Sequence, residues 1–166
     1  MKEGKGRRGA DEFFMAEALK EARRAFEKGE VPIGAVVVWR QKIVGRAHNQ
    51  METLRDPTAH AEMIAITQAA EAVSEGKRDH RGSLEGATLY ATMEPCPMCA
   101  GALVLAKAKA LVYGLKDPKA GACGSLYNIA QDDRLNHRLQ IRSGCLENEA
   151  RLFMQEFFRN LRKEKR

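Results

Sequence analysis

Residues 87–114, ATLYATMEPCPMCAGALVLAKAKALVYG, decide the fold that the sequence predicts. The apolar run Ala87–Thr92 predicts a strand, and Pro97–Lys107 contains the good helix formers expected of a helix. A second strand is predicted at Ala110–Tyr113, and Gly114 ends it. A strand, a helix and a strand in this order form a crossover, which favours parallel pairing of the two strands.

A helix, a hairpin of two strands and a second helix are predicted before this crossover. Apolar residues recur at helical spacing in Asp11–Lys28, with Asp11 as the cap of the helix. Two short apolar runs, Ile33–Trp39 and Ile43–Arg46, predict a hairpin of two antiparallel strands. Asp56 and Pro57 predict the start of a second helix that continues to Val73, because aspartate caps helices and proline suits their first position.

The remaining segments complete an α/β pattern. Ser74–Gly86 and Asp117–Ser125 are predicted loops, Arg138–Arg142 an edge strand, and Glu147–Arg162 a final amphipathic helix. With the crossover, these elements predict a three-layer α/β/α sandwich around a mixed sheet of about five strands. A chain of 166 residues with 44% hydrophobic residues suits one domain, predicted at 1–166.

The sequence excludes a membrane-spanning protein, and its excess of positive charge lies at the two ends of the chain. The longest apolar run, Met98–Ala106, is far shorter than the roughly 20 residues that span a bilayer, and no secretory signal is legible, so a cytoplasmic protein is expected. Residues 1–9 and 159–166 carry net charges of +3 and +4, which together exceed the +6 of the whole chain. Such basic ends suit a phosphate backbone, although solubility and the helix dipole explain them equally well.

The candidate chemical site combines His60 with Cys96 and Cys99. Taken alone, a histidine at a helix start is more often a cap or a packed side chain, and Cys-x-x-Cys also matches a thioredoxin-like redox pair. Together they supply one nitrogen and two thiolates, three of the four ligands of tetrahedral zinc, and no fourth cysteine or histidine lies at ligand spacing. The open position favours a catalytic zinc over a structural one.

Glu62 lies two residues after His60 and cannot share its regular helical face. It therefore stands beside the metal as a carboxylate, suited to take a proton from water and return it to a leaving group. The alternatives are a hydrogen-bonding partner of a ligand or a helix N-terminal charge. His-x-Glu followed by Pro-Cys-x-x-Cys is a signature of the zinc nucleobase deaminases.

Several blocks extend this pattern and resemble bacterial tRNA-specific adenosine deaminases, a family within the zinc-dependent cytidine and deoxycytidylate deaminases. The blocks are VPIGAV (31–36), DPTAHAE (56–62), TMEPCPMCAGA (92–102), GACGSL (121–126), NHR (136–138) and FFR (157–159). The likeness runs from about Asp11 to Arg162. It implies a cytidine deaminase-like fold and conversion of adenosine to inosine at the wobble position of a tRNA anticodon by zinc-activated hydroxide.

The resemblance also implies roles for individual residues. His60, Cys96 and Cys99 match the zinc ligands of the family, and Glu62 matches its proton shuttle. The family further implies a homodimer whose subunits both hold the anticodon stem-loop. The positions that match its substrate-contacting residues are Asn49, Asp117, Lys119, Phe158 and Arg159. Without the resemblance, these side chains would be read as turn, loop or core residues.

Two other functions stay open at this point. A deaminase of free guanine or of a cytosine nucleoside would share the zinc motif, but it would have no use for a basic C-terminal segment. A zinc-stabilised RNA-binding module without catalysis would need a closed ligand shell, and it would leave Glu62 without a purpose.

Overall fold

The structure is a computed structural model that describes residues 2–75 and 79–165, with the backbone alone for residues 2–5. The described residues form five α-helices and five β-strands. In chain order they are α1 (Lys2–Glu27), β1 (Gly34–Trp39), β2 (Lys42–His48), α2 (Met51–Leu54), α3 (Ala61–Ser74), β3 (Thr88–Met93), α4 (Pro97–Leu105), β4 (Ala110–Leu115), β5 (Gln140–Arg142) and α5 (Glu147–Glu164).

The strands form one mixed sheet in the order β2-β1-β3-β4-β5. β1 pairs antiparallel with both β2 and β3, whereas β3, β4 and β5 pair in parallel. The predicted hairpin and the predicted crossover are both confirmed. The short hairpin turn holds Arg40 and Gln41 at φ values of 49° and 65°, the left-handed region that tight hairpin turns use.

Side chains alternate between the two faces of the sheet, which is the pattern of a sheet covered on both sides. In β1, Ala35 and Val37 join the core under α3 and α4, while Val36 and Val38 join the core under α1. α5 lies on the α1 side, where Phe26 meets the rings of Phe153 and Phe157. The predicted three-layer sandwich with about five strands is therefore confirmed.

The prediction that Asp11 caps the first helix is wrong. α1 begins at Lys2, so the basic N-terminal residues belong to the helix. Asp11 is a buried residue within it, where its carboxylate accepts hydrogen bonds from the Tyr90 hydroxyl at 2.9 Å and from the Arg142 guanidinium at 2.7 and 2.9 Å. Residues 1–9 contain no apolar periodicity, so the pattern could not extend the helix to them.

The predicted helix start at Asp56 and Pro57 is also wrong. The carboxylate of Asp56 accepts the amide N–H of Thr58 at 2.8 Å and its hydroxyl at 2.7 Å, which closes a local turn. α3 begins at Ala61, and His60 occupies the cap position with extended backbone.

The short helix α2 was not predicted, because one turn is too short to show a helical period. Within the described ranges, no helix is both long and apolar enough to cross a bilayer.

Candidate metal centre and its surroundings

Two helix starts bring the three candidate ligands together. His60 precedes α3, and its extended backbone (φ −75°, ψ 148°) turns the imidazole away from the helix. Cys96 precedes α4, Pro97 occupies the first helical position, and Cys99 lies one turn further in. Because α3 and α4 pack on the same face of the sheet, their starts meet beyond the ends of the strands.

The distances within this cluster fit a tetrahedral zinc ion. His60 Nδ1 lies 3.6 Å from the sulfur of Cys96 and 3.6 Å from that of Cys99, and the two sulfurs are 3.7 Å apart. Zinc bonds of about 2.3 Å to sulfur and about 2.05 Å to nitrogen place tetrahedral ligand atoms about 3.8 Å (S to S) and about 3.6 Å (S to N) apart. The donor set and its spacing therefore suit zinc.

The contacts within the cluster favour the deprotonated, metal-binding form of one cysteine. The hydrogen bond between the two sulfurs, together with His60, lowers the pKa of Cys96 to about 4, and the same sulfur contact raises the pKa of Cys99. A shared proton of this kind is displaced when a divalent cation binds, because both thiols then ligate as thiolates. The contact between the two sulfurs thus favours the thiolate form of Cys96, which is the form that ligates a metal.

Glu62 lies in the first turn of α3, beside the cluster but outside it. Glu62 is 4% exposed, and burial raises the pKa of its carboxyl to about 7. Among the described residues, the three whose ligand atoms lie close enough to one another to share one metal ion are His60, Cys96 and Cys99. A carboxyl with a pKa near neutrality, next to a metal site, is suited to accept and donate protons.

Asn49 lies at the same site. It follows β2, it is 4% exposed, and its backbone N–H donates to the carbonyl of Ile33 at 3.0 Å. With His60 and Glu62 it lines a cavity of about 100 Å³. The other lining residues are Val31, Ile33, Met51 and Ala61. The structure therefore places Asn49 and Glu62 on the wall of one cavity.

Asp117 and Lys119 lie on the loop that follows β4. The carboxylate of Asp117 accepts the backbone N–H groups of Lys119 at 3.0 Å and Ala120 at 3.2 Å, which forms a tight turn. Lys119 is exposed. The loop reaches the metal centre through Ala122, whose N–H donates to the carbonyl of Pro95, next to Cys96.

Phe158 and Arg159 lie on α5, in the layer opposite to α3 and α4. Phe157 is buried against Phe26, whereas Phe158 is 41% exposed and Arg159 is exposed. Of the two phenylalanines, the structure therefore assigns Phe157 to the core and leaves Phe158 at the surface. The exposed residue can contact a macromolecular partner.

Two buried carboxylates at the site were not predicted. Glu94, at the end of β3, accepts hydrogen bonds from the loop at Asp117, Cys123 and Ser125. Burial alone would raise the pKa of Glu94, but these hydrogen bonds outweigh it and hold the pKa below its ordinary value. Glu30 accepts the N–H groups of Glu52 and Thr53 and so anchors α2 beside Asn49. The one signal in the sequence for these two buried carboxylates was their position: Glu30 directly precedes an apolar run, and Glu94 directly precedes the cysteine-containing run.

Comparison with known proteins gives concordant matches. A model of the MafB19-like deaminase family matches residues 10–162. The tRNA-specific adenosine deaminase of Bacillus subtilis (strain 168) is 51% identical over 156 residues, which cover 94% of this chain and 93% of the relative. That of Aquifex aeolicus (strain VF5) is 46% identical over 151 residues, covering 91% of this chain and 95% of the relative.

A solved structure described in a study of A-to-I editing by tRNA:A34 deaminases at the wobble position has the same fold. It superposes with a TM-score of 0.77 at 41% identity, covering 85% of this chain and 98% of that chain. The range matched by the family model contains each of the candidate site residues, from Asn49 to Arg159.

Proposed function

The chain belongs to the family of tRNA-specific adenosine deaminases and converts the wobble adenosine of tRNA to inosine, and we propose that zinc held by His60, Cys96 and Cys99 serves this reaction. The observation that carries the zinc proposal is the trio of ligand atoms 3.6 to 3.7 Å apart with the buried Glu62 beside it. A catalytic rather than structural metal follows from the three-ligand set, because a structural zinc site closes its shell with a fourth protein ligand.

The proposed mechanism assigns proton transfer to Glu62. Zinc, when bound, supplies the Lewis acid that activates water for attack on C6 of adenine. The Glu62 carboxylate accepts a proton from the attacking water and passes it to a ring nitrogen. Glu62 then carries the second proton of that water to the amino group, which leaves as ammonia, while the oxygen remains on C6 as the carbonyl of inosine.

The pocket and its rim define the proposed RNA contacts. We propose that Asn49 binds the flipped base, since it lines the cavity next to Glu62. Asp117 and Lys119 lie on the loop tied to the metal-binding segment and would meet the neighbouring nucleotides. Phe158 and Arg159 would contact the stem-loop from α5. An anticodon loop suits such a pocket, because its unpaired nucleotides are the least costly to unstack.

The test of this function is inosine formation from adenosine in a transcribed anticodon stem-loop, run in parallel with free guanine, free adenosine and cytidine. We expect inosine in the stem-loop and no turnover of the small molecules. Turnover of guanine or cytidine without activity on the stem-loop would keep the zinc chemistry and reject the tRNA substrate.

Binding of the stem-loop should depend steeply on salt, because α5 ends in a basic segment containing Arg159 and Arg162. We expect Arg159→Gln to weaken binding several-fold and to reduce the slope of log affinity against log salt by about 0.7, the value for one contact to single-stranded RNA. The measurement is fluorescence anisotropy over a salt series.

The matched control is Arg151→Gln. Arg151 lies on the same helix, but it pairs with Glu147 four residues earlier. This variant removes the same charge and should bind the stem-loop with the wild-type salt slope. Equal slopes for the wild type and Arg159→Gln would reject the contact at Arg159.

We also propose that the protein is a homodimer. Leu105 at the end of α4 is 85% exposed, and the segment after β4 adds exposed apolar side chains at Leu126, Tyr127 and Leu135. We propose that these side chains form one apolar patch, which is typical of a surface that another chain covers. We expect Leu105→Glu to convert a dimer into an 18.5 kDa monomer, measured by light scattering, and to lower activity on the stem-loop.

Leu152→Glu is the control for the dimer, because Leu152 is a similarly exposed leucine on α5, in the opposite layer. It should remain dimeric. A monomeric wild type, or a dimeric Leu105→Glu variant, would contradict the assignment of this surface.

We also propose a cytoplasmic location and a single domain. A tRNA substrate supports the cytoplasmic location, and the single sheet supports one deaminase domain over residues 1–166.

A further inference from the structure

Glu94 is a buried carboxylate whose hydrogen-bond donors all come from one loop. It lies one residue after β3 and two residues before Cys96. One oxygen accepts the N–H groups of Cys123 at 3.0 Å and Ser125 at 2.9 Å. The other accepts the N–H of Asp117 at 3.0 Å and the hydroxyl of Ser125 at 2.5 Å. These four donors span 117–125, the loop that carries Lys119.

The loop is shaped around this carboxylate. A Cβ atom built at Gly121 would lie 2.4 Å from the carboxyl carbon of Glu94 and 2.5 Å from the carbonyl oxygen of Asp117. Cβ atoms do not come this close to atoms to which they are not bonded, so glycine is required for the loop to close around Glu94. A further hydrogen bond joins the same segments, from Ala122 N–H to the Pro95 carbonyl.

We propose that Glu94 is a positioning residue for RNA, which holds loop 117–125 in register with the metal-binding segment so that Asp117 and Lys119 meet the nucleotides beside the target adenosine. The inference rests on the proposed function, which supplies the roles of those two residues. Charge-assisted hydrogen bonds to an ionised carboxylate are stronger than neutral ones, and a loop ordered in advance binds at a smaller entropic cost. Glu94 itself touches neither the metal ligands' donor atoms nor, in this proposal, the RNA.

The test is Glu94→Gln in the zinc-loaded, full-length protein. The amide nitrogen of glutamine cannot accept the N–H donors that one carboxylate oxygen accepts, so part of the loop is released while side-chain volume is kept. We expect KM for the stem-loop to rise at least about tenfold, with kcat within about threefold and zinc content unchanged. Glu85→Gln is the matched control, because this substitution removes the same charge. Glu85 is exposed and precedes β3, at the end of the strand opposite to Glu94.

A double-variant cycle separates positioning from a purely structural role. Lys119→Ala should raise KM in the wild-type protein but change it little in the Glu94→Gln protein, whose loop no longer presents the lysine. A purely structural role would lower the melting temperature and the zinc-loaded fraction. It would leave KM and the effect of Lys119→Ala intact, and that result would overturn the proposal.

Gly121→Ala disturbs the same contact from the loop side and keeps the proposal testable if Glu94→Gln does not fold. It should reproduce the rise in KM, and a wild-type KM would count against the proposal. Failure of the proposed function is distinguishable, since it would appear as a wild-type protein without activity on the stem-loop. A wild-type KM in both variants of an active enzyme would reject the role of Glu94 alone.

Discussion

Glu62→Gln is expected to lower kcat for inosine formation in the stem-loop by about 10³-fold, in the range that positioned acid–base groups contribute. Glutamine keeps the volume of the buried side chain but cannot carry a proton between the attacking water and the leaving amino group. The zinc content should be unchanged, because Glu62 stands outside the cluster of His60, Cys96 and Cys99. Rates are measured by single-turnover assays and zinc by mass spectrometry.

The folded state should tolerate this substitution well. Glu62 is buried, and burial disfavours the charged form of a carboxyl, so a neutral isostere removes a cost of desolvation. Glu71→Gln is the matched control: Glu71 is an exposed glutamate on the same helix, and its variant should keep the full rate. A kcat for Glu62→Gln within tenfold of the wild type would remove Glu62 from the role of proton carrier.

Cys99→Ser is expected to abolish both zinc binding and activity. Serine is similar in size, but its hydroxyl stays protonated at neutral pH, so one of the three ligands is lost. We expect zinc to fall from about one ion per chain to less than about a tenth after dialysis, and turnover to fall to background. The variant should also melt at a lower temperature than the zinc-loaded wild type, because a ligand that binds the folded state stabilises it.

Cys145→Ala is the control for Cys99→Ser. Cys145 is half-buried and packs with the core on the α1 side of the sheet, on the face away from α3 and α4. It should retain zinc, activity and melting temperature. If Cys99→Ser bound zinc as the wild type does, the candidate metal centre would be wrong, whatever happened to turnover.

The predicted crossover and hairpin show which parts of the fold follow from local patterns. Short apolar runs predicted the strands, and the order of strand, helix and strand along the chain predicted parallel pairing of β3 with β4. The helix starts were the weaker predictions. Asp11 and Asp56 both match a capping residue by type, yet Asp11 pairs with Arg142 and Asp56 closes a turn with Thr58. A short polar side chain that caps a helix can equally serve a turn or an ion pair.

The candidate metal ligands follow from the sequence because their spacing is itself the signal. Cys96 and Cys99 stand one helical turn apart, and Glu62 follows His60 by two residues, so the residue types and intervals indicate the chemistry. The meeting of His60 with the cysteine pair across 36 positions requires the packing of α3 and α4 on one face of the sheet.

The role of Glu94 was decided by the tertiary structure alone. The donors that it binds at Cys123 and Ser125 are backbone N–H groups 29 and 31 positions away, and a backbone group carries no mark in the sequence. The same holds for Glu30, which anchors α2 through N–H groups of Glu52 and Thr53. Side-chain chemistry at short spacing thus predicted the candidate metal centre, and the family resemblance carried by the same residues predicted the reaction class. The pairing of buried carboxylates with distant backbone donors, which only the folded chain brings together, decided how the loops around that centre are held.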